Sequence, residues 1–280
     1  MVEGNGGNDS ITGPSGSLSV TLNGGPGEDS IVGGDAPNFI GGGEGNDTLT
    51  GGASLDTITG DAGADIIVGG DGPDTIQGNA GNDSVAGGAG ADTLNGDTAG
   101  VTDPTDGDDF IAPGPDADSA VGGAGSDMIA YYSSAASVSI DLSTQSVSGG
   151  DAAGDTISGF ENAEGGSGGD TIIGTSGPNT LYGLDGDDTL SGGRGNDVLS
   201  GTWGADTLRG NAGDDLLFGG DGNDDLYYGG GTDTLNGDDN LGSTASGNTG
   251  DSCQGYANST TGSKKYGRVT YLYCDDALVP

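Results

Sequence analysis

The amino-acid sequence predicts an all-β solenoid, in which short parallel strands stack along one axis. Between Gly42 and Asn95 an aspartate recurs every nine residues, and an aliphatic side chain stands two residues after each one. Glycine fills most of the turn before each aspartate, and the 280 residues include 65 glycines. A unit of nine residues cannot bury one aliphatic side chain by itself, so successive units must stack on one another.

Each unit divides into a turn of six residues and a strand of three. The turn, as in residues 42–47, carries glycines where the backbone must take a positive φ or approach another segment closely. In the strand 48–50 the side chains alternate between two faces, so that only Leu49 points inward. Two units form one coil with a strand on each side, which stacks each aspartate on the one 18 residues earlier.

Stacked aspartates require a cation between them. Strands about 4.8 Å apart would hold neighbouring carboxylates close enough to repel by roughly 3 kcal/mol at an effective dielectric of about 20. The formal net charge of −39 adds to this repulsion. Carboxylate and carbonyl oxygens are ligands of hard cations, and Ca²⁺ fits better than Mg²⁺, which demands octahedral geometry and retains its water molecules. The sequence therefore predicts calcium between the coils.

The candidate calcium ligands are the aspartates that keep the nine-residue frame. Pairs of them that lie 18 residues apart would hold about a dozen ions. Asn38 and Asn179 stand in two aspartate positions, and Asn38 is expected to weaken the site that it shares with Asp56. The predicted ligands are Asp29, Asp47, Asp56, Asp65, Asp74, Asp83, Asp92, Asp109, Asp127, Asp170, Asp188, Asp197, Asp206, Asp215, Asp224 and Asp233.

The nine-residue pattern resembles that of the RTX family, whose nonapeptide reads Gly-Gly-x-Gly-x-Asp-x-aliphatic-x and is linked to Ca²⁺. The resemblance implies a right-handed parallel β-roll, with Ca²⁺ held between successive turns by aspartates and turn carbonyls. It covers about 230 of the 280 residues and leaves the C-terminal tail outside. The copies that match the six-residue turn in full end at Asp29, Asp47, Asp74, Asp92, Asp127, Asp170, Asp197 and Asp224.

The repeats predict two rolls in series. Residues 1–127 form the first roll, with a loop at 96–108, and residues 165–240 form the second. Residues 128–164 are similar to the spacers that join rolls in this family. Because residues 137–143 alternate between apolar and polar side chains, this junction is expected to contain longer strands.

A C-terminal cap is predicted over residues 241–280, with a strand at 268–274, because the open end of a solenoid needs cover. The cap contains the two cysteines, Cys253 and Cys274. In an oxidising extracellular compartment a disulfide between them is favoured, and two separate thiols are the alternative. A metal site is not indicated, because two cysteines without a histidine do not form one.

Composition disfavours several classes of function. The chain has no histidine, which removes the common serine and cysteine triads and the His-Glu-x-x-His zinc site, so an enzyme is not expected. Nucleic acid is not expected as a partner, since phosphate binding needs a basic surface and the chain has five basic residues. No apolar run approaches the roughly 20 residues that a membrane span requires.

Two functional hypotheses remain. The first is a calcium-dependent structural module of a secreted or surface protein, which stays unfolded in low-calcium cytosol and folds outside the cell. The second is an assembly or adhesion protein that binds copies of itself, or another protein, through its outer faces. Tyr182, Val198, Leu216 and Phe218 form an outward apolar patch that would serve the second hypothesis. The alternatives are that the junction segment folds back over this patch, or that the patch is simply exposed to solvent.

Overall fold

The computed structural model describes residues 1–97 and 106–237, together with the backbones of three short strands at 252–255, 268–272 and 276–277. Its regular elements are β-strands, apart from one turn of 3₁₀ helix within the described ranges, at Gly150–Ala152. The strands of successive coils pair in parallel, so the chain is an all-β parallel β-solenoid, as predicted. No helix in the described part of the chain is long and apolar enough to cross a membrane.

The chain folds into two compact units. The first comprises residues 1–131 and 151–160, and the second comprises residues 132–150 and the described residues from 161 onward. The predicted junction at 128–164 is therefore divided between the two units.

Two rows of parallel strands build the first unit, and the chain alternates between them. One row is, in spatial order, β1 (Val2–Glu3), β3 (Val20–Pro26), β5 (Asn38–Glu44), β7 (Thr57–Ala62), β9 (Thr75–Ala80), β11 (Thr93–Asn95), β13 (Ser119–Val121) and β17 (Thr156–Ser158). The other row is β2 (Ser10–Thr12), β4 (Ser30–Val32), β6 (Thr48–Ala53), β8 (Ile66–Asp71), β10 (Ser84–Ala89), β12 (Phe110–Ala112) and β14 (Met128–Ala130).

The second unit repeats this arrangement. One row is β18 (Asn162–Glu164), β20 (Thr180–Asp185), β22 (Val198–Trp203), β24 (Leu216–Asp221), β26 (Thr232–Asn236) and β28 (Arg268–Leu272). The other row is β16 (Ser146–Ser148), β15 (Ser139–Asp141), β19 (Thr171–Ile173), β21 (Thr189–Arg194), β23 (Thr207–Ala212), β25 (Asp225–Tyr228), β27 (Ser252–Gly255) and β29 (Asp276–Ala277).

The pairing register confirms the 18-residue coil. Thr48 of β6 pairs with Ile66 of β8, one coil later. Across the predicted loop at 96–108, Ser84 pairs with Phe110, so this coil is longer and the stack continues beyond it. Within that loop, residues 98–105 lie outside the described residues.

The core of each unit is built from the aliphatic side chain that follows each aspartate. Leu49 of β6 and Ile58 of β7 are fully buried, and they come from opposite sides of one coil. In the second unit, the inward positions from Leu181 to Leu235 are fully buried leucines. One such side chain in nine residues makes a thin core, which leaves most of each coil to backbone and turn interactions.

Strand lengths differ from the prediction in both directions. In the regular coils most strands have six residues rather than three, since Gly52 of β6 pairs with Gly70 of the next coil and the ladder extends into the turn. In the junction, the predicted longer strand at 137–143 is the three-residue β15, which forms an antiparallel hairpin with β16.

Three strands continue the rows of the second unit towards the C-terminus. β28 pairs in parallel with β26, which confirms a strand in the predicted segment 268–274. In β27, Cys253 holds the register position next to Leu226 of β25. The proposed partner, Cys274, lies outside the described residues, so the disulfide stays a prediction.

Candidate metal centre

Every aspartate predicted as a ligand is buried at the point where a turn enters a strand. Their side chains have at most 3% of their surface exposed; Asp56 is fully buried and Asp29 is the most exposed. Aspartate is rarely buried in proteins unless it is paired. Two rows of buried aspartates, one along each edge of the coils, therefore need partners for their charge.

One oxygen of each carboxylate is held by the preceding coil. Oδ1 of Asp47 accepts a hydrogen bond of 2.7 Å from the backbone N–H of Asp29, and Oδ1 of Asp65 accepts one of 2.7 Å from Asp47. The series continues in the second unit, where Asp215 N–H donates to Oδ1 of Asp233 at 3.0 Å. These charge-assisted bonds fix the aspartates as a ladder between coils.

The second oxygen, Oδ2, is buried without a hydrogen-bond partner at most ladder positions. A buried polar atom without a partner costs about 1–3 kcal/mol, and more when it is charged. A folded protein does not accumulate such a series unless another group neutralises it, and a cation would neutralise these oxygens. The orphaned Oδ2 atoms belong to Asp9, Asp29, Asp47, Asp56, Asp65, Asp74, Asp83, Asp92, Asp109, Asp118, Asp188, Asp197, Asp206, Asp215 and Asp233.

Glycine at the first turn position makes room for the orphaned oxygen. A Cβ atom on Gly42 would collide with Oδ2 of Asp47 and would lie 2.7 Å from the carbonyl oxygen of Gly60. A Cβ atom on Gly60 would meet Oδ2 of Asp65 and would lie 2.8 Å from the carbonyl oxygen of Gly78. The carboxylate of one coil and the carbonyl of the next thus converge on a space that only glycine leaves open.

Burial raises the pKa of the ladder carboxyls because it disfavours the charged form. The pKa of Asp109 rises to about 8, mainly through burial, with repulsion from Asp83 adding to it. For the same leading reason, the pKa of Asp74 rises to about 7 and that of Asp65 to about 6. A divalent cation beside these oxygens reverses the effect, because it favours the deprotonated form.

The repeat places these oxygens at regular intervals between the coils. A comparison with known families agrees with this arrangement. The model of the RTX calcium-binding nonapeptide repeat (4 copies) matches residues 1–17, 21–49, 41–76, 68–98, 104–131, 164–199 and 200–235. The chain belongs to the RTX family. RTX repeats bind Ca²⁺, so this is a calcium-binding repeat protein. A search of curated proteins found no match.

The donor set of this RTX chain suits Ca²⁺. Calcium takes about six to eight oxygen ligands, including carboxylates and backbone carbonyls, in flexible geometry. Within 1–97 and 106–237, no three acidic side chains come close enough together to hold an ion by themselves. The ladder carboxylates would therefore bind Ca²⁺ together with turn carbonyls such as that of Gly60.

Two positions at the start of the second RTX unit differ from the other ladder positions. Oδ2 of Asp170 accepts a hydrogen bond of 2.6 Å from Gly166 N–H, and Oδ1 of Asn179 accepts one of 2.7 Å from Thr175 N–H. The protein itself supplies a donor at both positions. Oδ2 of Asp170 is therefore less available to a cation than the Oδ2 atoms that have no donor.

Asn38 replaces a carboxylate in the first unit. Its backbone N–H donates to Oδ1 of Asp56 at 2.6 Å, like a ladder aspartate, and its side-chain Nδ2 donates to the same oxygen at 2.9 Å. An amide donor here takes the place of an anionic ligand. The weaker site beside Asp56 stays a prediction.

Sequence reasoning missed Asp9 and Asp118 as site residues. Oδ1 of Asp118 accepts a 2.7 Å bond from Asp92 N–H, 26 residues away, and Oδ1 of Asp29 accepts one of 2.7 Å from Asp9 N–H, 20 residues away. Both pairs escape a search at a spacing of 18. Asp118 could have been found from the repeat, because it lies nine residues after Asp109.

A second set of side chains joins the coils in the opposite sense. Oδ1 of Asn46 accepts a 2.9 Å hydrogen bond from Ala64 N–H in the following coil, and Oδ1 of Asp187 accepts one of 2.9 Å from Ala205 N–H. These residues stand immediately before a ladder aspartate. Sequence reasoning treated the position as variable, although Asn or Asp often fills it.

The ladder of the first unit ends on a tyrosine. Oδ1 of Asp155 accepts a 2.9 Å bond from Asp118 N–H, and Oδ2 accepts one of 2.9 Å from the hydroxyl of Tyr131. Tyr131 is almost fully buried. The phenol therefore satisfies at Asp155 the oxygen that is left without a donor at most other ladder positions.

The raised pKa values predict that acid stabilises the calcium-free solenoid. A carboxyl whose pKa is higher when folded contributes stability below its unfolded value of 3.8, and this stability is lost as the pH rises through the folded value, about 6 for Asp65 and about 8 for Asp109. In calcium-free buffer, β-structure measured by circular dichroism should therefore be greatest near pH 4 and decline towards pH 8.

The control is the same pH series at saturating Ca²⁺. There the trend should reverse, because protons compete with the metal for the ladder oxygens. A calcium-free chain that gains β-structure as the pH rises would contradict the assignment of these carboxyls.

Proposed function

We propose that this protein is a calcium-dependent structural module of a secreted or surface protein, which folds when it binds Ca²⁺ outside the cell. The observation that carries the proposal is the series of buried Oδ2 atoms without hydrogen-bond partners in both units. Each is a charge that the folded chain cannot satisfy by itself. Metal binding that satisfies these charges is linked to folding, because the unfolded chain has no such sites.

Glycine content and the thin core support the same proposal. The 65 glycines lose more conformational entropy on folding than other residues would. One inward aliphatic side chain per unit, such as Leu49, offsets little of this cost. The role is structural rather than enzymatic, since the ladder carboxylates are committed to backbone N–H groups and to Ca²⁺, and the chain has no histidine.

A calcium titration tests the extracellular part of the proposal. Extracellular calcium modules bind with dissociation constants of about 10⁻⁴ to 10⁻³ M, so folding of the full chain should have its midpoint in that range. The measurement is the circular dichroism signal against free Ca²⁺. A midpoint near the 10⁻⁷ M or so of the tighter cytosolic sensors would contradict folding outside the cell, because the chain would then fold in the cytosol.

The second candidate function is calcium-dependent assembly or adhesion through the outer face of the second unit. Val198 of β22 pairs in register with Leu216 of β24, and Phe218 lies two residues further along the same strand. These side chains and Tyr182 are half-buried. Four apolar side chains on one outward face favour contact with another protein or a second copy of the chain.

Phe218→Asp tests this second function. Its side chain faces outward, so calcium-driven folding should be retained, while any oligomers should dissociate because a charge would enter the apolar contact. The measurement is sedimentation velocity at saturating Ca²⁺. Thr189→Asp, on the outward face of the other row, is the matched control. A wild-type protein that is already monomeric under these conditions excludes self-association through this face.

A further inference from the structure

Asp97 is a buried carboxylate at a turn position that glycine fills in the repeat. Asp97 comes directly after Gly96, at the second turn position, which Gly43 fills after Gly42. Only 4% of its surface is exposed. Oδ2 accepts a hydrogen bond of 2.6 Å from Ala124 N–H, whereas Oδ1 is buried without a hydrogen-bond partner.

Asp61 occupies the same position of the repeat and behaves differently. Asp61 stands five residues after Asp56, as Asp97 stands five after Asp92. The Asp61 backbone has a φ of 76°, and its side chain is exposed. Asp97 does not share this positive φ, and its side chain turns inward to lie where a Cβ on Gly123 would be. The burial of Asp97 is therefore particular to this coil.

The surroundings of Asp97 are acidic. Repulsion from Asp97 helps to raise the pKa of Asp83 and of Asp109, and Asp106 acts on Asp97 in the same way. Burial is the main reason that the pKa of Asp97 itself is raised, and the N–H groups of Ala124 and Gly107 oppose it. Even so, Oδ1 is buried among other carboxylates without a hydrogen-bond partner. A buried oxygen of this kind calls for a cation.

An oxygen ligand already lies beside Asp97. A Cβ atom on Gly96 would collide with the orphaned Oδ2 of Asp109 and would lie 2.5 Å from the carbonyl oxygen of Gly122. The space that glycine leaves open beside the carboxylate in the other coils is thus present here too, next to Asp97. Since no three acidic side chains in the described ranges converge on one point, turn carbonyls would complete the ligand set here as elsewhere.

We propose that Asp97 is a further calcium ligand, which gives the site at Gly96 one more carboxylate than the sites of the regular coils. The inference rests on the proposed calcium-binding role of the ladder. Affinity for Ca²⁺ depends on the number of charged ligands. This site is therefore the tightest in the chain, and it fills first.

Calorimetric titration of the full chain with Ca²⁺ tests the assignment. The wild-type protein should show a first binding step that is tighter than the rest, and Asp97→Asn should weaken that step about tenfold. Asparagine keeps an acceptor for Ala124 N–H, so the turn is retained. Asp97→Gly, which restores the residue of the repeat, should lose the same step. Asp61→Asn, with the same chemistry at an exposed site, should titrate like the wild type.

The outcomes separate this inference from the proposed function. Unchanged first steps in both Asp97 variants, with circular dichroism showing that they fold at saturating Ca²⁺, would overturn the role of Asp97 alone. No calcium binding by the wild-type chain would overturn the proposed function, and the inference with it.

Discussion

Removal of calcium at neutral pH should convert this protein from a β-solenoid into a disordered chain. The ladder carboxyls are buried, and their second oxygens find no donor in the protein at most positions. Protonation can remove the charge of a carboxyl at a pH below its raised pKa. The pKa of Asp65 and that of Asp206 are both about 6, so these two carboxyls are ionised near pH 7. Buried like charges then oppose stacking in both units rather than at one end.

Far-ultraviolet circular dichroism in excess chelator measures this loss. Addition of Ca²⁺ should restore the β signal, whereas the same concentration of Mg²⁺ should restore much less, because Mg²⁺ gives up its water reluctantly. A full β spectrum in chelator at neutral pH would show that the hydrogen-bonded ladder and the thin core suffice without a metal.

Gly42→Ala should remove one calcium site and destabilise the folded chain, whereas Gly41→Ala should do neither. A methyl group on Gly42 would collide with Oδ2 of Asp47 and crowd the carbonyl of Gly60. On Gly41 the nearest atom to an added methyl group is the hydroxyl oxygen of Thr59 at 3.6 Å, an ordinary contact. Neither glycine has the positive φ of Gly43, so backbone strain does not separate the two variants.

The comparison is made by chemical denaturation at saturating Ca²⁺ and by calcium titration. Overpacking of this kind costs about 1–3 kcal/mol, and loss of a cation from the same space adds to it. Gly42→Ala should therefore unfold at lower denaturant concentration and bind less Ca²⁺ per chain. Equal behaviour of the two variants would mean that the space beside Asp47 is not a ligand position.

The sequence was sufficient for the coil because one period controls both core and site. An aliphatic residue such as Leu49 and an aspartate such as Asp47 recur together, so a single spacing predicts the inward face, the stacking and the ladder. The strands extend further because turn residues such as Gly52 also pair with the next coil. This extra pairing is made by the backbone, so the alternation of side chains along the sequence does not predict it.

The junction could not be predicted from alternation because local turn chemistry ends the strand early. Oδ1 of Asp141 accepts hydrogen bonds from Ser143 N–H at 2.9 Å and from Thr144 N–H at 3.2 Å. Gln145 follows with a φ of 51°, in the left-handed region. An aspartate that binds the N–H two residues ahead forms a turn in its own right, and the chain reverses into β16.

The two sets of side-chain bonds between coils determine how the length of this protein can change. Asp29 N–H meets a carboxylate from the following coil, and the side chain of Asn46 meets an N–H of the following coil. Loss or gain of 18 residues leaves each of these donors opposite an equivalent acceptor, while a change of nine moves every later strand to the other row. Whole coils are therefore the natural unit of insertion, deletion and duplication in this chain. Smaller changes are confined to turns, as in the 20-residue step from Asp9 to Asp29.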